Sequence, residues 1–172
     1  MDAKILLENS FPQLVEKLQK TISFNTKRLP EFAYGEGTYY FITVCTKDRA
    51  RTLGRVTEKG KIDLTAAGKS AECGLLSLGE HYPGAQVHVY VIMPDHVHFI
   101  LSLGCGDDPA TPCRSALARV MSGWKAGVSR EAKFPVWQRS YYDHVIRNRQ
   151  DFQEIWKYIE NNPRQWVLDG KG

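Results

Sequence analysis

Apolar and polar positions change period several times along the chain. Phe11, Leu14, Val15, Leu18 and Ile22 recur at helical spacing behind Ser10, a capping residue, and Pro12, which a first turn tolerates. This predicts an amphipathic helix that packs on the main body or on a partner. Residues 26–37 carry Pro30, Gly35 and Gly37 and read as a connector. Residues 39–45, Tyr-Tyr-Phe-Ile-Thr-Val-Cys, are aromatic and β-branched and predict a strand. Residues 53–64 predict a short hairpin around Glu58-Lys59-Gly60, and 65–78 a helix capped by Thr65. Strands follow at 86–93 and 96–103, separated by a turn at Pro94-Asp95. A loop at 104–112 leads into a helix over 115–131, then a short strand over 142–147. A last helix over 151–162 is expected to be halted by Pro163.

Strand, helix, strand, strand, helix, strand is the split βαβ order of a ferredoxin-like (RRM-like) α+β fold. It predicts an antiparallel sheet with helices on one face, the second face being free for a ligand or another helix. The expected organisation is an N-terminal helical extension over 1–30 and one domain over 31–172.

Composition narrows the class. Of the 172 residues, 42% are hydrophobic and 24% charged, which suits a globular domain with a core and argues against disorder. No stretch reaches the ~20 apolar residues of a membrane span. The start, Met1-Asp2-Ala3-Lys4, lacks the apolar core of a signal peptide, so a cytoplasmic protein is expected. Cys45, Cys73, Cys105 and Cys113 form no CxxC pair and read as reduced, mostly packing thiols.

Net charge is only +4, but it is concentrated. Between Arg114 and Arg149, eight basic residues face two acidic ones, a local balance of +6. Trp124, Phe134, Trp137, Tyr141 and Tyr142 are interleaved with them. Such cations neutralise phosphates and such rings stack on unpaired bases, which makes Arg114, Arg119, Lys125, Arg139, Arg147 and Arg149 candidate DNA contacts. The same pattern also fits a solvated helix face followed by core aromatics.

Two constellations carry chemistry. His96 and His98 alternate with Val97 and Phe99, so on a strand both imidazoles share one face, about 7 Å apart along it. Two such rings can grip one divalent ion. On the last helix, Phe152, Ile155, Trp156 and Ile159 form an apolar stripe. Tyr158 and Asn162, one turn apart, fall on its flank together with Asp151 and Glu154. A two-histidine site needs further ligands, and an amide or carboxylate on a facing helix can supply one while leaving room for a phosphate. A tyrosine one turn from that ligand could attack the phosphorus, although a phenol with a reference pKa near 10 needs help to do so.

The segment Met93-Pro94-Asp95-His96-Val97-His98-Phe99 resembles the "MPNHVH" motif of HUH tyrosine transposases. Residues 137–147, Trp-Gln-Arg-Ser-Tyr-Tyr-Asp-His-Val-Ile-Arg, and Tyr158-Ile159-Glu160-Asn161-Asn162-Pro163 are similar to two further blocks of their REP-associated branch, which is related to the small single-tyrosine insertion-sequence transposases. The first strand also resembles that family's, and the likeness spans about residues 28–166. Asp95 stands where the family more often has Asn, and "NPRQW" replaces the commoner "NPVRAG". The resemblance implies an HUH nuclease fold in which His96, His98 and Asn162 hold Mg²⁺ or Mn²⁺ and Tyr158 is the nucleophile. It implies cleavage of single-stranded, hairpin-containing DNA, with Tyr158 linked to a 5′ phosphate and a free 3′ hydroxyl left for resealing. It further implies a cytoplasmic, nucleoid-associated protein acting as a monomer or a homodimer. Two other readings fit the residues: a non-catalytic RRM-like binder of single strands, and a metal hydrolase using the histidines without Tyr158.

Overall fold

The computed structural model describes residues 37–104 and 113–171. The expected helix over 11–22, the 1–30 extension and nearly all of the 26–37 connector and the 104–112 loop lie outside the described residues.

The elements are β1 (Thr38–Cys45), a 3₁₀ turn (Lys47–Arg49), β2 (Gly54–Val56), β3 (Ile62–Leu64), α1 (Ala66–Leu76), α2 (Leu78–His81), β4 (Ala85–Met93), β5 (His96–Leu103), α3 (Cys113–Ala132), β6 (Tyr142–Ile146) and α4 (Arg149–Leu168). Four strands form one antiparallel sheet in the order β4-β5-β1-β6, and β2 and β3 form a separate hairpin. The expected strands, the hairpin and the Thr65 cap are present, with the Thr65 hydroxyl accepting from the Gly68 amide at 3.1 Å. The helix expected over 65–78 breaks at Ser77 into α1 and α2.

Alternation along β1 and β5 divides the core. Tyr40, Ile42, Val44, Val97, Phe99 and Leu101 face one way and pack with Leu75 of α1 and Leu117, Met121 and Trp124 of α3. Close approach of the helices to this layer needs glycine. A Cβ at Gly68 would lie 2.0 Å from the Leu53 carbonyl oxygen. Trp124 closes the layer, its indole donating to the Ala71 carbonyl at 3.2 Å.

Tyr39, Phe41, Met93 and Ile100 face the other way, against Phe152, Ile155, Ile159 and Trp166 of α4. The second face is taken by another helix, α4, one of the two occupants that the strand order left open for it. Pro163 lies inside α4, which runs on to Leu168, so the expected stop at Pro163 is corrected. An interior proline costs ~3 kcal/mol through its missing N–H and its clash with the preceding turn. Carrying the helix past it buries Trp166, which is 7% exposed. A tryptophan that hides ~200 Å² at ~25 cal/mol per Å² contributes about 5 kcal/mol, enough to offset the proline. The indole also donates to the Lys171 carbonyl at 2.7 Å.

Candidate active site

The site lies between β5 and α4. Antiparallel pairing with β1 sets Thr43 opposite His98 and Cys45 opposite His96, all on the α4 side of the sheet. The two imidazoles that the HxH spacing put on one face are neighbours, with ring centroids 4.5 Å apart. Both are buried.

Each ring is anchored through Nδ1. Nδ1 of His96 donates to the Asp95 carboxylate at 2.5 Å. Nδ1 of His98 lies 2.8 Å from Thr43 Oγ1. Nε2 of His98 meets the Tyr158 hydroxyl at 3.1 Å. Asn162 is close enough to act on the ionisation of both His96 and Tyr158. One chain thus supplies and joins all four candidate residues.

α4 achieves this by its phase. Phe152, Ile155, Ile159, Asn162 and Trp166 form its buried line. Asn162 is on that line, not on a flank, and is the one polar residue in it. Tyr158 is half-buried beside it, its ring edge-on to Phe41 at 6.0 Å and His98 at 5.2 Å between centroids. Asp151 and Glu154 do not join the site. Asp151 pairs with His144 at 3.0 Å, and Glu154 accepts from Gln150 at 3.0 Å.

Burial lowers the pKa of His96, against the pull of Asp95, and burial lowers His98 well below the usual imidazole value. Both rings are therefore neutral at pH 7 and able to act as ligands. Burial raises the Tyr158 phenol, and this outweighs the hydrogen bond from Asn162 and the charge of Arg49. Such a phenol has to gain its activation from a cation brought to it. Burial also pushes the Asp95 carboxyl up, but the interaction with His96 and the charge of Arg49 leave it lowered overall.

Among the described residues, no three His, Cys, Asp or Glu side chains cluster as metal ligands. The donor set at the pair is two neutral imidazoles and a carboxamide. With Nδ1 of each ring held by an outer partner, the remaining nitrogens suit a divalent cation, and the amide oxygen of Asn162 can complete the set.

Asp95, Thr43 and Arg49 are the residues that the sequence reading left out. Asp95 was visible only as a departure from a motif. Thr43 and Arg49 required the strand register and the turn. Arg49 Nε lies 3.2 Å from Asp95 Oδ2, completing a relay from Arg49 through Asp95 to His96.

The candidate DNA contacts are dispersed. Arg119 is exposed on α3, a helix that packs on the face of the sheet opposite the histidines. The Lys125 ammonium donates to the carbonyls of Gln138, Arg139 and Ser140 at 2.7, 3.1 and 3.3 Å, and burial lowers its pKa. It therefore ties the 138–140 loop to α3. Arg139 is exposed on that loop. Arg147 and Arg149 are exposed at the start of α4, and Arg147 lines a cavity of about 450 Å³ with Asp143, His144 and Asn148. The Arg114 side chain lies outside the described residues.

No family model matches the chain. It is 29% identical over 161 residues to an uncharacterised protein of Haemophilus influenzae, covering 83% of this chain and 89% of that one. It is 25% identical over 138 residues to a putative REP-associated tyrosine transposase of the same organism, covering 76% and 72%. It is 24% identical over 136 residues to the REP-associated tyrosine transposase of Escherichia coli, covering 78% and 72%. Among solved structures, that of a REP-associated tyrosine transposase bound to a REP hairpin superposes with a TM-score of 0.57 at 21% identity, covering 84% of this chain and 74% of that one. That likeness extends to the fold. Among the described residues, no helix is long and apolar enough to cross a membrane.

Proposed function

The chain belongs to the family of the REP-associated tyrosine transposases, and from that premise we propose that it nicks and rejoins single-stranded DNA through a covalent Tyr158 intermediate. The observation that carries this reading is the 3.1 Å contact between the Tyr158 hydroxyl and Nε2 of His98, beside His96 and Asn162. A packing tyrosine would not need its hydroxyl set on a buried imidazole that has a second imidazole as its neighbour.

In this reading the sheet is the ferredoxin-like platform of an HUH nuclease. His96, His98 and Asn162 would hold Mg²⁺ or Mn²⁺. When bound, the cation supplies the positive charge that favours the phenolate and polarises the phosphoryl oxygens. Asp95 and Thr43 hold the two rings through Nδ1, which leaves Nε2 of each to serve as the ligand atom. The phenol gives up its proton to water in the cleft. Its oxygen forms the new bond to phosphorus, and the bond to the 3′ oxygen breaks. That oxygen leaves with the electron pair and takes a proton from water. The products are a 5′-phosphotyrosine and a 3′ hydroxyl, and attack by a 3′ hydroxyl reverses the step. The phosphodiester energy is kept in the protein linkage, so rejoining needs no nucleotide triphosphate. The DNA partner is taken to be a hairpin-bearing single strand, as in the solved relative bound to a REP hairpin.

The test is incubation with a hairpin-bearing single-stranded oligonucleotide and Mn²⁺, followed by a denaturing gel. A protein–DNA adduct that mass spectrometry maps to Tyr158 is expected. DNA that is bound but never cleaved would indicate a binding protein, and repeated cleavage without an adduct would indicate a hydrolase.

A further inference from the structure

Arg49 is the charge at this site that the mechanism leaves without a task. Its backbone is unusual. Asp48 and Arg49, both non-glycine, adopt φ of 55° in succession, a left-handed pair between β1 and β2. Such conformations persist where the surroundings impose them, and they concentrate at functional sites. Here the surroundings are specific. The Thr46 hydroxyl lies 2.7 Å from the Ala50 carbonyl oxygen and 3.0 Å from that of Asp95, its one proton bridging between them. The amides of Lys47 and Leu53 donate to the carbonyls of Val136 and Pro94 at 2.8 and 3.0 Å. This frame turns Arg49 back against the sheet, where Nη1 donates to Cys45 Sγ at 2.9 Å and Nε faces Asp95.

Two of its nitrogens are thus occupied, yet the side chain remains 49% exposed. Among the described residues, Nη2 has no partner. A clamp serving only Asp95 would need neither that exposure nor a rigid five-donor fork. The charge reaches the whole centre, since it acts on His96, His98 and Tyr158 alike. Arg51 extends the basic edge outward and sits 5.4 Å over the Trp166 ring, whose centroid is 6.0 Å from that of His96.

We propose that Arg49 is the anion-binding residue of this site, its free N–H groups receiving the non-bridging oxygens of the phosphodiester that Tyr158 attacks. The inference rests on the phosphotyrosine reading for the identity of the anion, but the anion site itself follows from the turn and the fork. Asp95 holds the guanidinium from behind through Nε, and a planar fork held in this way meets two phosphate oxygens with little reorganisation. The six basic residues picked from the sequence are not needed for this contact.

The test uses the full chain and the variants Arg49→Gln and Arg49→Lys. With a hairpin-bearing oligonucleotide and Mn²⁺, Arg49→Gln is expected to slow adduct formation about 100-fold, as loss of a charge-stabilising donor does. Arg49→Lys should recover part of that loss, because it keeps the charge and loses the fork. Calorimetry should show Mn²⁺ binding undiminished in both variants. A purely structural Arg49 would instead weaken Mn²⁺ binding, by loosening Asp95 and hence His96, in proportion to the lost rate. That result, or an adduct formed at the wild-type rate by Arg49→Gln, overturns the proposal and leaves the Tyr158 reading standing. Should the wild-type protein form no adduct, inorganic phosphate decides. A saturable shift of the Arg49 Nε–H resonance, assigned with the Arg49→Lys variant, supports the anion site, and an unmoved resonance overturns it.

Discussion

Asp95 Oδ1 lies 2.5 Å from Nδ1 of His96, so the residue at which the chain departs from the usual motif is the one that orients the first proposed ligand. The contact fixes the His96 tautomer, because a carboxylate only accepts, and it leaves Nε2 with its lone pair toward the cleft. Arg49 balances the carboxylate from its other oxygen.

Removing that carboxylate therefore tests whether the histidine pair is built for a cation. Asp95→Ala is expected to weaken Mn²⁺ binding about 10- to 100-fold, the usual effect of losing an outer partner of a ligating histidine. Asp95→Asn keeps an acceptor for Nδ1 and should lose less. Titration calorimetry reads both, and wild-type affinity in the alanine variant would remove Asp95 from this role.

Tyr158→Phe separates chemistry from binding. The ring keeps its edge-on contacts with Phe41 and His98, and only the hydroxyl is lost. The fold should lose about 1 kcal/mol, one hydrogen bond's worth. Adduct formation should disappear while DNA binding in a gel-shift assay stays within a few-fold of wild type. An adduct that survives in this variant would remove Tyr158 as the nucleophile.

The pairing of Tyr158 with His98 shows how much of the site was legible in the chain. A period of two placed His96 and His98 together, and a period of 3.6 placed Tyr158 one turn from Asn162. What joined them was the packing of α4 on the sheet, and no local pattern carries that information. The end of α4 was misjudged for a related reason. Proline is a local stop signal, whereas Trp166, three residues on, gains its burial only from the sheet below. Arg49 was hidden in another way, since two successive left-handed residues without glycine leave no mark in composition. The basic run from 114 to 149 looked like one patch because it is continuous in sequence. It divides because α3 and α4 lie on opposite faces of the sheet.

Packing of α1 onto the Leu53 backbone yields a stability prediction away from the site. Gly68→Ala would bring a methyl group to 2.0 Å from a carbonyl oxygen that cannot rotate away. The helix must shift, at a cost of about 1–3 kcal/mol, which exceeds the fraction of a kcal/mol that alanine gains in helix propensity. Denaturant unfolding should show a lower midpoint, and an unchanged or higher midpoint would mean that the turn before β2 yields easily.

Three buried or half-buried imidazoles give the protein an expected response to acid. Burial lowers the pKa of His88, His96 and His98 below the usual 6.5. The unfolded chain therefore takes up protons before the folded one does. Their contribution is complete above pH ~6.5 and is lost as the pH falls from there toward the folded values. In that window each fully coupled group removes up to about 1.4 kcal/mol per pH unit. His88 is the most open of the three and counts for less. Asp95, whose pKa is lowered, contributes stability that is lost only in the more acidic range around and below pH ~4, so the decline between pH 6.5 and 5 belongs to the histidines. Melting temperatures measured at pH 8, 6.5 and 5.5 should be flat over the first interval and fall over the second. His98→Asn should show a shallower fall, because it removes the most strongly shifted group. A melting temperature that rises on acidification to pH 5.5 would mean that these rings gain a proton on folding, and would end the case for a neutral pair ready to bind a cation.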